Sequence, residues 1–215
     1  MRLAGAGVSV FALARDMAAL EELAAEDRSI AAAASITPIS CDITDSAALD
    51  RALEQCSAAT LLINNAGWAA PRTTIANSRR QDWQRTLATC LNAPIQITHF
   101  LLPLMLRQNS GAIVQILSPA AKRGRAGESS YAAAKAGLRG FTEALREETA
   151  NTDIRVSSIY PGLVDTGLIP QNRRVDRTRF LRPDDIAAVV LDTLESPAHC
   201  CPTEIAVEPQ RDPFA

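Results

Sequence analysis

Three short apolar runs in this chain each end abruptly in a polar or glycine-containing motif, and long helical patterns separate them. Thr60–Ile63 runs into Asn64-Asn65-Ala66-Gly67, Ala112–Leu117 into Ser118, and Ile154–Ile159 toward Pro161-Gly162. Strands joined by helices long enough for crossovers form parallel sheets, so all three motifs belong at a carboxyl edge. The expected class is α/β, and 215 residues suffice for one domain spanning 1–215 with a sizeable core.

Beyond Ser118 the chain reads S-P-A-A-K-R-G-R-A-G-E-S-S-Y-A-A-A-K. Tyr131 and Lys135 stand at i and i+4, which on a helix brings their Cβ atoms within about 5–6 Å. A neighbouring ammonium favours phenolate, so Lys135 is expected to lower the Tyr131 pKa. That would fit the phenol for proton transfer near neutrality.

Asn64-Asn65-Ala66-Gly67, a serine thirteen residues before Tyr131-x-x-x-Lys135, and Pro161-Gly162-Leu163-Val164-Asp165-Thr166 occur in this order. Together they resemble the signatures of the short-chain dehydrogenase/reductase family, and the similarity extends over nearly the whole chain. The resemblance implies a Rossmann-like, doubly wound parallel sheet and an NADP-dependent carbonyl or hydroxy-acid reductase. Ser118, Tyr131 and Lys135 would be catalytic. Asn64, Ala66, Gly67, Tyr131, Lys135, Pro161, Gly162, Val164 and Thr166 would contact the cofactor.

Further cofactor positions follow from the same resemblance. Arg15, ending a strand over Val8–Ala14, matches the place where a basic residue selects the 2′-phosphate of NADP over NAD. Asp42 and Ile43, closing a strand that begins at Ser35, match the residues that meet adenine. The family's first strand and its glycine-rich T-G-x-x-x-G-x-G turn have no counterpart here, so the fold is expected to be N-terminally truncated. Gly5 and Gly7 precede a strand, which is the wrong context for a phosphate loop. Residues 1–14 also imitate a secretory signal, but that reading would remove a needed strand. The tail of a helix, capped near Gly5 or Gly7 and running into the strand Val8–Ala14, is preferred.

A helical region from Ser78 to Gln108 is expected, with Pro94 and Pro103 bending or dividing it. Counting seven residues from Trp83 places Cys90 where the family carries an asparagine that holds a relay water. A thiol is a poor donor and acceptor, so slower turnover is expected. Asn92 would face elsewhere, about 200° further round the helix. The arginines 173, 174, 177, 179 and 182 fall in the family's substrate-covering loop. They read better as a surface loop neutralised by Asp176, Asp184 and Asp185 than as a cationic lid.

A net charge of −2 gives no footprint for nucleic acid. Five cysteines without C-x-x-C suggest reduced thiols in the cytoplasm. Vicinal Cys200-Cys201 beside His199 is a poor zinc set, so no metal is expected. Outside the N-terminal stretch no apolar run is expected to reach membrane-spanning length. A small-molecule carbonyl or alcohol is the expected substrate, and by resemblance the chain would form a homodimer or homotetramer.

Overall fold

The computed structural model describes residues 2–30, 35–169, 175–197 and 199–214. They form two compact units, residues 1–59 and 60–215.

In the first unit a short helix α1 (Arg2–Gly5) leads into strand β1 (Val10–Ala14). Gly7 adopts φ +83. Around it, Val8 N–H donates to Leu3 C=O at 3.0 Å and Gly7 N–H to Ala4 C=O at 2.9 Å. This bond pair with a left-handed residue ends a helix by satisfying its last carbonyls, and glycine enters that region without a Cβ penalty. Helix α2 (Met17–Ile30) follows, with Asp16 Oδ1 accepting from Ala19 N–H at 3.1 Å as its N-cap. Strand β2 (Ile36–Ser40) pairs parallel to β1. Helix α3 (Ser46–Gln55) closes the unit, capped by Asp45. Ala4, Ala24 and Ile36 make its small core, with Val10, Ala12 and Leu23 packed against them.

The second unit holds a four-stranded parallel sheet, β3 (Leu61–Asn64), β4 (Gly111–Ile116), β5 (Ile154–Pro161) and β6 (Glu204–Val207), in that spatial order. Between β3 and β4 lie helices α4 (Arg80–Leu87) and α5 (Ala93–Gln108); α6 (Ser129–Glu148) precedes β5 and α7 (Pro183–Leu194) precedes β6. Alternate strand residues serve opposite faces. Val114, Ile116 and Ile159 pack with Ile186 and Val190 of α7. Leu117 and Tyr160 pack with Leu138 of α6. Both faces are thus covered, as buried parallel strands require.

The long helical region differs from expectation in how it is divided. Ala88–Asn92 forms one π turn, in which Ala93 N–H reaches Ala88 C=O. Pro94 has no N–H to give Cys90 C=O, so the α-helical ladder is already open at this point. Pro103 sits inside α5, which continues to Gln108. The whole rod Arg80–Gln108 has 29 residues and a mean hydropathy of 1.2 in its most apolar stretch, so one further run does reach spanning length. Its stripe of Ala93, Ile97, Leu101 and Met105 is buried, which is how a core helix uses apolar residues. Asn109 ends it in the left-handed region at φ 46.

One helix start differs from what the sequence suggests and one agrees. Ser129 or Ser130 would be the expected cap of α6, but α6 begins at Ser129 with Glu128 at its N-cap and no side-chain cap. Pro183-Asp184-Asp185 is an expected helix opening, and α7 begins at Pro183, where Asp185 accepts from Arg182 N–H at 2.7 Å.

Candidate active site

Strands β3, β4 and β5 deliver their motifs to one carboxyl edge because all are parallel. β3 ends at Asn64, which is buried and donates from Nδ2 to Thr98 Oγ1 at 3.4 Å. Asn65, Ala66 and Gly67 beyond it are exposed. β4 delivers Ser118, whose Oγ accepts from Ala120 N–H at 3.2 Å and so starts a 3-10 turn over Pro119–Ala121. The first turn of α6 presents Tyr131, and the next turn presents Lys135.

Ser118, Tyr131 and Lys135 come together. The Ser118 hydroxyl acts on the Tyr131 phenol in favour of its ionised form. Lys135 is 3% exposed. Its Nζ donates to Ile116 C=O at 2.7 Å and lies 5.9 Å from the centroid of the Tyr131 ring.

The electrostatics run opposite to the expectation from spacing. Burial pushes the Tyr131 phenol up to about 12; charge at Cys90 adds to this, Ser118 draws it back, and Glu128 adds again. Lys135 is held by the backbone of β4, and burial lowers its own pKa. Desolvation, which penalises the charged phenolate, therefore outweighs the i, i+4 attraction expected from the spacing.

Cys90 is fully buried in the π turn, while Asn92 is exposed, so the two do face apart. The Cys90 thiol accepts from Trp68 N–H at 3.4 Å and donates to Trp68 C=O at 3.2 Å. The residue after Gly67 is thereby held by its own peptide. Trp68 is stacked in turn under the Arg85 guanidinium, 4.7 Å from the ring centroid. Neither the Trp68 peptide nor the Ile116 carbonyl carried a side-chain signal in the sequence, because both act through backbone atoms.

Beyond β5, Gly162 N–H donates to Val207 C=O at 2.8 Å, and a Cβ at Gly162 would collide with the Glu208 carboxylate. The carboxylate, at the free end of a flexible side chain, would have to swing aside to admit it. Val164 bridges to Leu181. Thr166 Oγ1 accepts from Leu168 N–H at 3.4 Å. Arg177 binds Asp165 and the carbonyls of Thr166 and Ile169, the latter two at 3.1 Å. Arg179 pairs with Asp176 at 3.0 Å. Arg177 and Arg179 are therefore neutralised, Arg179 by Asp176 as expected but Arg177 by Asp165 rather than by the acids expected. Arg173 and Arg174 lie outside the described residues.

Arg15, Asp42 and Ile43 belong to the first unit, at the carboxyl ends of β1 and β2. Arg15 is exposed and its C=O accepts from Ser40 Oγ at 3.4 Å. Asp42 Oδ1 accepts from Thr44 N–H at 2.9 Å and Thr44 Oγ1 at 2.7 Å, which fixes the carboxylate in a turn. Ile43 is half-buried.

The chain matches the short chain dehydrogenase family over residues 1–176. It is 30% identical over 140 residues to a 3-oxoacyl-(acyl-carrier-protein) reductase of Thermotoga maritima, covering 61% of this chain and 56% of that relative. It is 33% identical over 193 residues to a probable NADP-dependent dehydrogenase of Haemophilus influenzae, covering 83% of this chain and 76% of that one. A closed form of serine dehydrogenase complexed with NADP+ superposes with a TM-score of 0.81 at 28% identity, over 96% of this chain and 87% of that one. The match thus spans little more than half of the Thermotoga relative's length. With an α/β, Rossmann-like fold of parallel sheets and this family match across most of its length, the chain belongs to the short-chain dehydrogenase/reductase family.

Proposed function

We propose that this protein is an NADP(H)-dependent oxidoreductase that interconverts a small carbonyl compound and its alcohol. The observation that carries the reading is the convergence of Ser118, Tyr131 and Lys135, with Ser118 acting on the Tyr131 phenol and Lys135 buried 5.9 Å from the Tyr131 ring centroid.

The residues fit a nicotinamide dinucleotide. The Lys135 ammonium has three donors, is buried, and gives one of them to Ile116 C=O, so two remain for the hydroxyls of a ribose. At Gly67 an added Cβ would find nothing nearer than Asn65 O at 3.9 Å, which leaves the backbone open to close approach by a ligand. Asn64, Ala66, Pro161, Gly162, Val164 and Thr166 complete this edge, and Arg15, Asp42 and Ile43 are assigned to the adenine end. The cofactor supplies the hydride acceptor and donor. Tyr131 supplies or takes the proton on the substrate oxygen. Ser118 hydrogen-bonds that oxygen as charge develops on it. Lys135 orients the cofactor and offsets the charge of the phenolate.

NADP in the names or complexes of some relatives supports NADP as the cofactor, as does the exposed basic side chain of Arg15, while other structural neighbours carry NAD or NADH. The family match runs across both compact units, which supports treating 1–215 as one functional domain. Five free cysteines support a reducing, cytoplasmic setting. Assembly as a homodimer or homotetramer is part of the same reading.

A noncatalytic reading has its own support: Cys90 replaces the expected asparagine, and Tyr131 is held near 12. Titration with NADPH and NADH followed by cofactor fluorescence, then a carbonyl substrate screen, separates the two. Micromolar NADPH binding with turnover that Tyr131→Phe abolishes is the expected result. A folded chain that binds neither nucleotide would favour the noncatalytic reading.

A further inference from the structure

Glu204 opens β6, and three elements meet at its carboxylate. Oε2 accepts from Lys122 Nζ at 2.8 Å, Oε1 accepts from the Tyr160 hydroxyl at 2.6 Å, and Arg139 Nε lies 3.5 Å from Oε1. Each partner belongs to a segment that shapes the site. Lys122 ends the 3-10 turn that Ser118 starts. Arg139 stands one turn beyond Lys135 and two beyond Tyr131 on α6, where it also pairs with Glu143 at 2.8 Å. Tyr160 is 2% exposed and runs directly into Pro161-Gly162.

We propose that Glu204 is a positioning residue whose carboxylate ties the turn carrying Ser118 to the helix carrying Tyr131 and Lys135. It thereby fixes where the Ser118 hydroxyl stands relative to the Tyr131 phenol. The inference rests on the reading of Ser118, Tyr131 and Lys135 given above.

An exposed ion pair alone would have little hold on two elements, and Lys122 and Glu204 keep 45% and 31% of their side chains in water. This carboxylate differs in taking a proton donor from the core. The Tyr160 hydroxyl anchors one oxygen to β5, and the Lys122 ammonium, 4.2 Å from the centroid of the Tyr160 ring, is held over the same residue. Bonds from Lys122 and Tyr160 keep the Glu204 carboxyl well below its usual range, down to about 2, so the tie persists at neutral pH.

The test uses the full chain and needs no substrate. The sequence holds two tyrosines, Tyr131 and Tyr160, so NMR of isotope-labelled tyrosine rings gives one signal for each, assigned with the phenylalanine variants. The groups acting on Tyr131 are Cys90 from the π turn, Glu128 before α6, Ser118 and Lys135. Of these, Ser118 is the one that Glu204 governs through Lys122.

In Glu204→Gln, Tyr160 should ionise more readily, having lost the carboxylate that raises it. Tyr131 should ionise less readily as the Ser118 hydroxyl that favours its ionised form loses its fixed place, with its ionised fraction falling about twofold or more at matched alkaline pH. Lys122→Met cuts the same tie without removing the carboxylate partner of Tyr160; it should lower the ionised fraction of Tyr131, while loss of the ammonium over the Tyr160 ring makes Tyr160 ionise less readily too, and it carries the test if Glu204→Gln does not fold. A Tyr131 titration unchanged in Lys122→Met would overturn the proposal, even if the melting temperature fell. Failure of the chain to bind NADPH would count against the proposed function and leave this readout intact.

Discussion

Cys90 grips the Trp68 peptide from both sides, accepting from its N–H at 3.4 Å and donating to its C=O at 3.2 Å. A side chain expected from the sequence to weaken a proton relay thus has a structural task at the end of the Asn64–Gly67 motif. Cys90→Ala leaves both peptide groups without this partner and should cost about 1–2 kcal/mol of stability, read from urea unfolding. Cys90→Asn offers a donor and an acceptor on one side chain. It should keep near-native stability and, if the relay matters, raise kcat several-fold. A Cys90→Ala chain as stable as the parent would remove the thiol from this role.

Arg15 follows β1, exposed, and its guanidinium has no ion pair among the described residues. A fork of donors without a carboxylate partner is ready for a phosphate. Arg15→Ala should weaken NADPH binding by about 10-fold or more while leaving NADH binding within about twofold. Parallel fluorescence titrations with the two nucleotides measure this directly. Equal losses for both would assign Arg15 to the shared part of the cofactor or to the surface.

The helix and strand limits were legible because their signals are local. Asp16 and Asp45 cap α2 and α3, Gly7 takes the left-handed position after α1, and Pro183 opens α7. The parallel order of motifs at one edge was legible for the same reason, since it follows from strand and helix alternation. Three features were not. The π turn at 88–92 depends on a ladder that fails one turn before Pro94, whereas the sequence shows only the proline. The partner of Lys135 is a backbone carbonyl on a different element, so spacing along α6 could not reveal it. Burial of Tyr131 depends on what tertiary packing places over it, and it reversed the pKa direction that the i, i+4 pair implied.

Arg177 draws together Asp165 and the carbonyls of Thr166 and Ile169, across 8 to 12 residues of chain. Nε donates to Asp165 Oδ1 at 2.8 Å, while the terminal nitrogens reach the two carbonyls. Lysine carries the charge but lacks the planar fork, so it cannot make this set at once. In Arg177→Lys, amide hydrogen exchange at 165–169 should quicken. KM for the cofactor should rise about 3- to 10-fold with a smaller change in kcat, as expected when a binding segment loosens. Unchanged exchange would show that Val164 and its bridge to Leu181 hold the segment without Arg177.

Tyr131 gives the fold an alkaline signature. Its phenol titrates at an ordinary 10.0 when unfolded and near 12 in the native chain, where burial dominates. Between those values the unfolded chain has released a proton that the native chain keeps. The native state is therefore fully favoured below the unfolded pKa and loses that advantage as pH rises through the folded one. One proton corresponds to about 1.4 kcal/mol per pH unit, so on the order of 2–3 kcal/mol disappears across this window. Tyr160, also raised to about 12 by burial and by Glu204, steepens the same decline. Lys135 acts in the other direction. Burial lowers its pKa from 10.5, so the native chain sheds that proton first and gains stability with pH until the unfolded lysine titrates. Urea unfolding of the parent chain should therefore show stability falling steeply above about pH 10. Tyr131→Phe, with Tyr160 still in place, should fall about half as steeply, while Tyr131→Phe at neutral pH should differ little. If parent and variant decline in parallel, Tyr131 is not held neutral by burial, and the Lys135 ammonium governs its phenol after all.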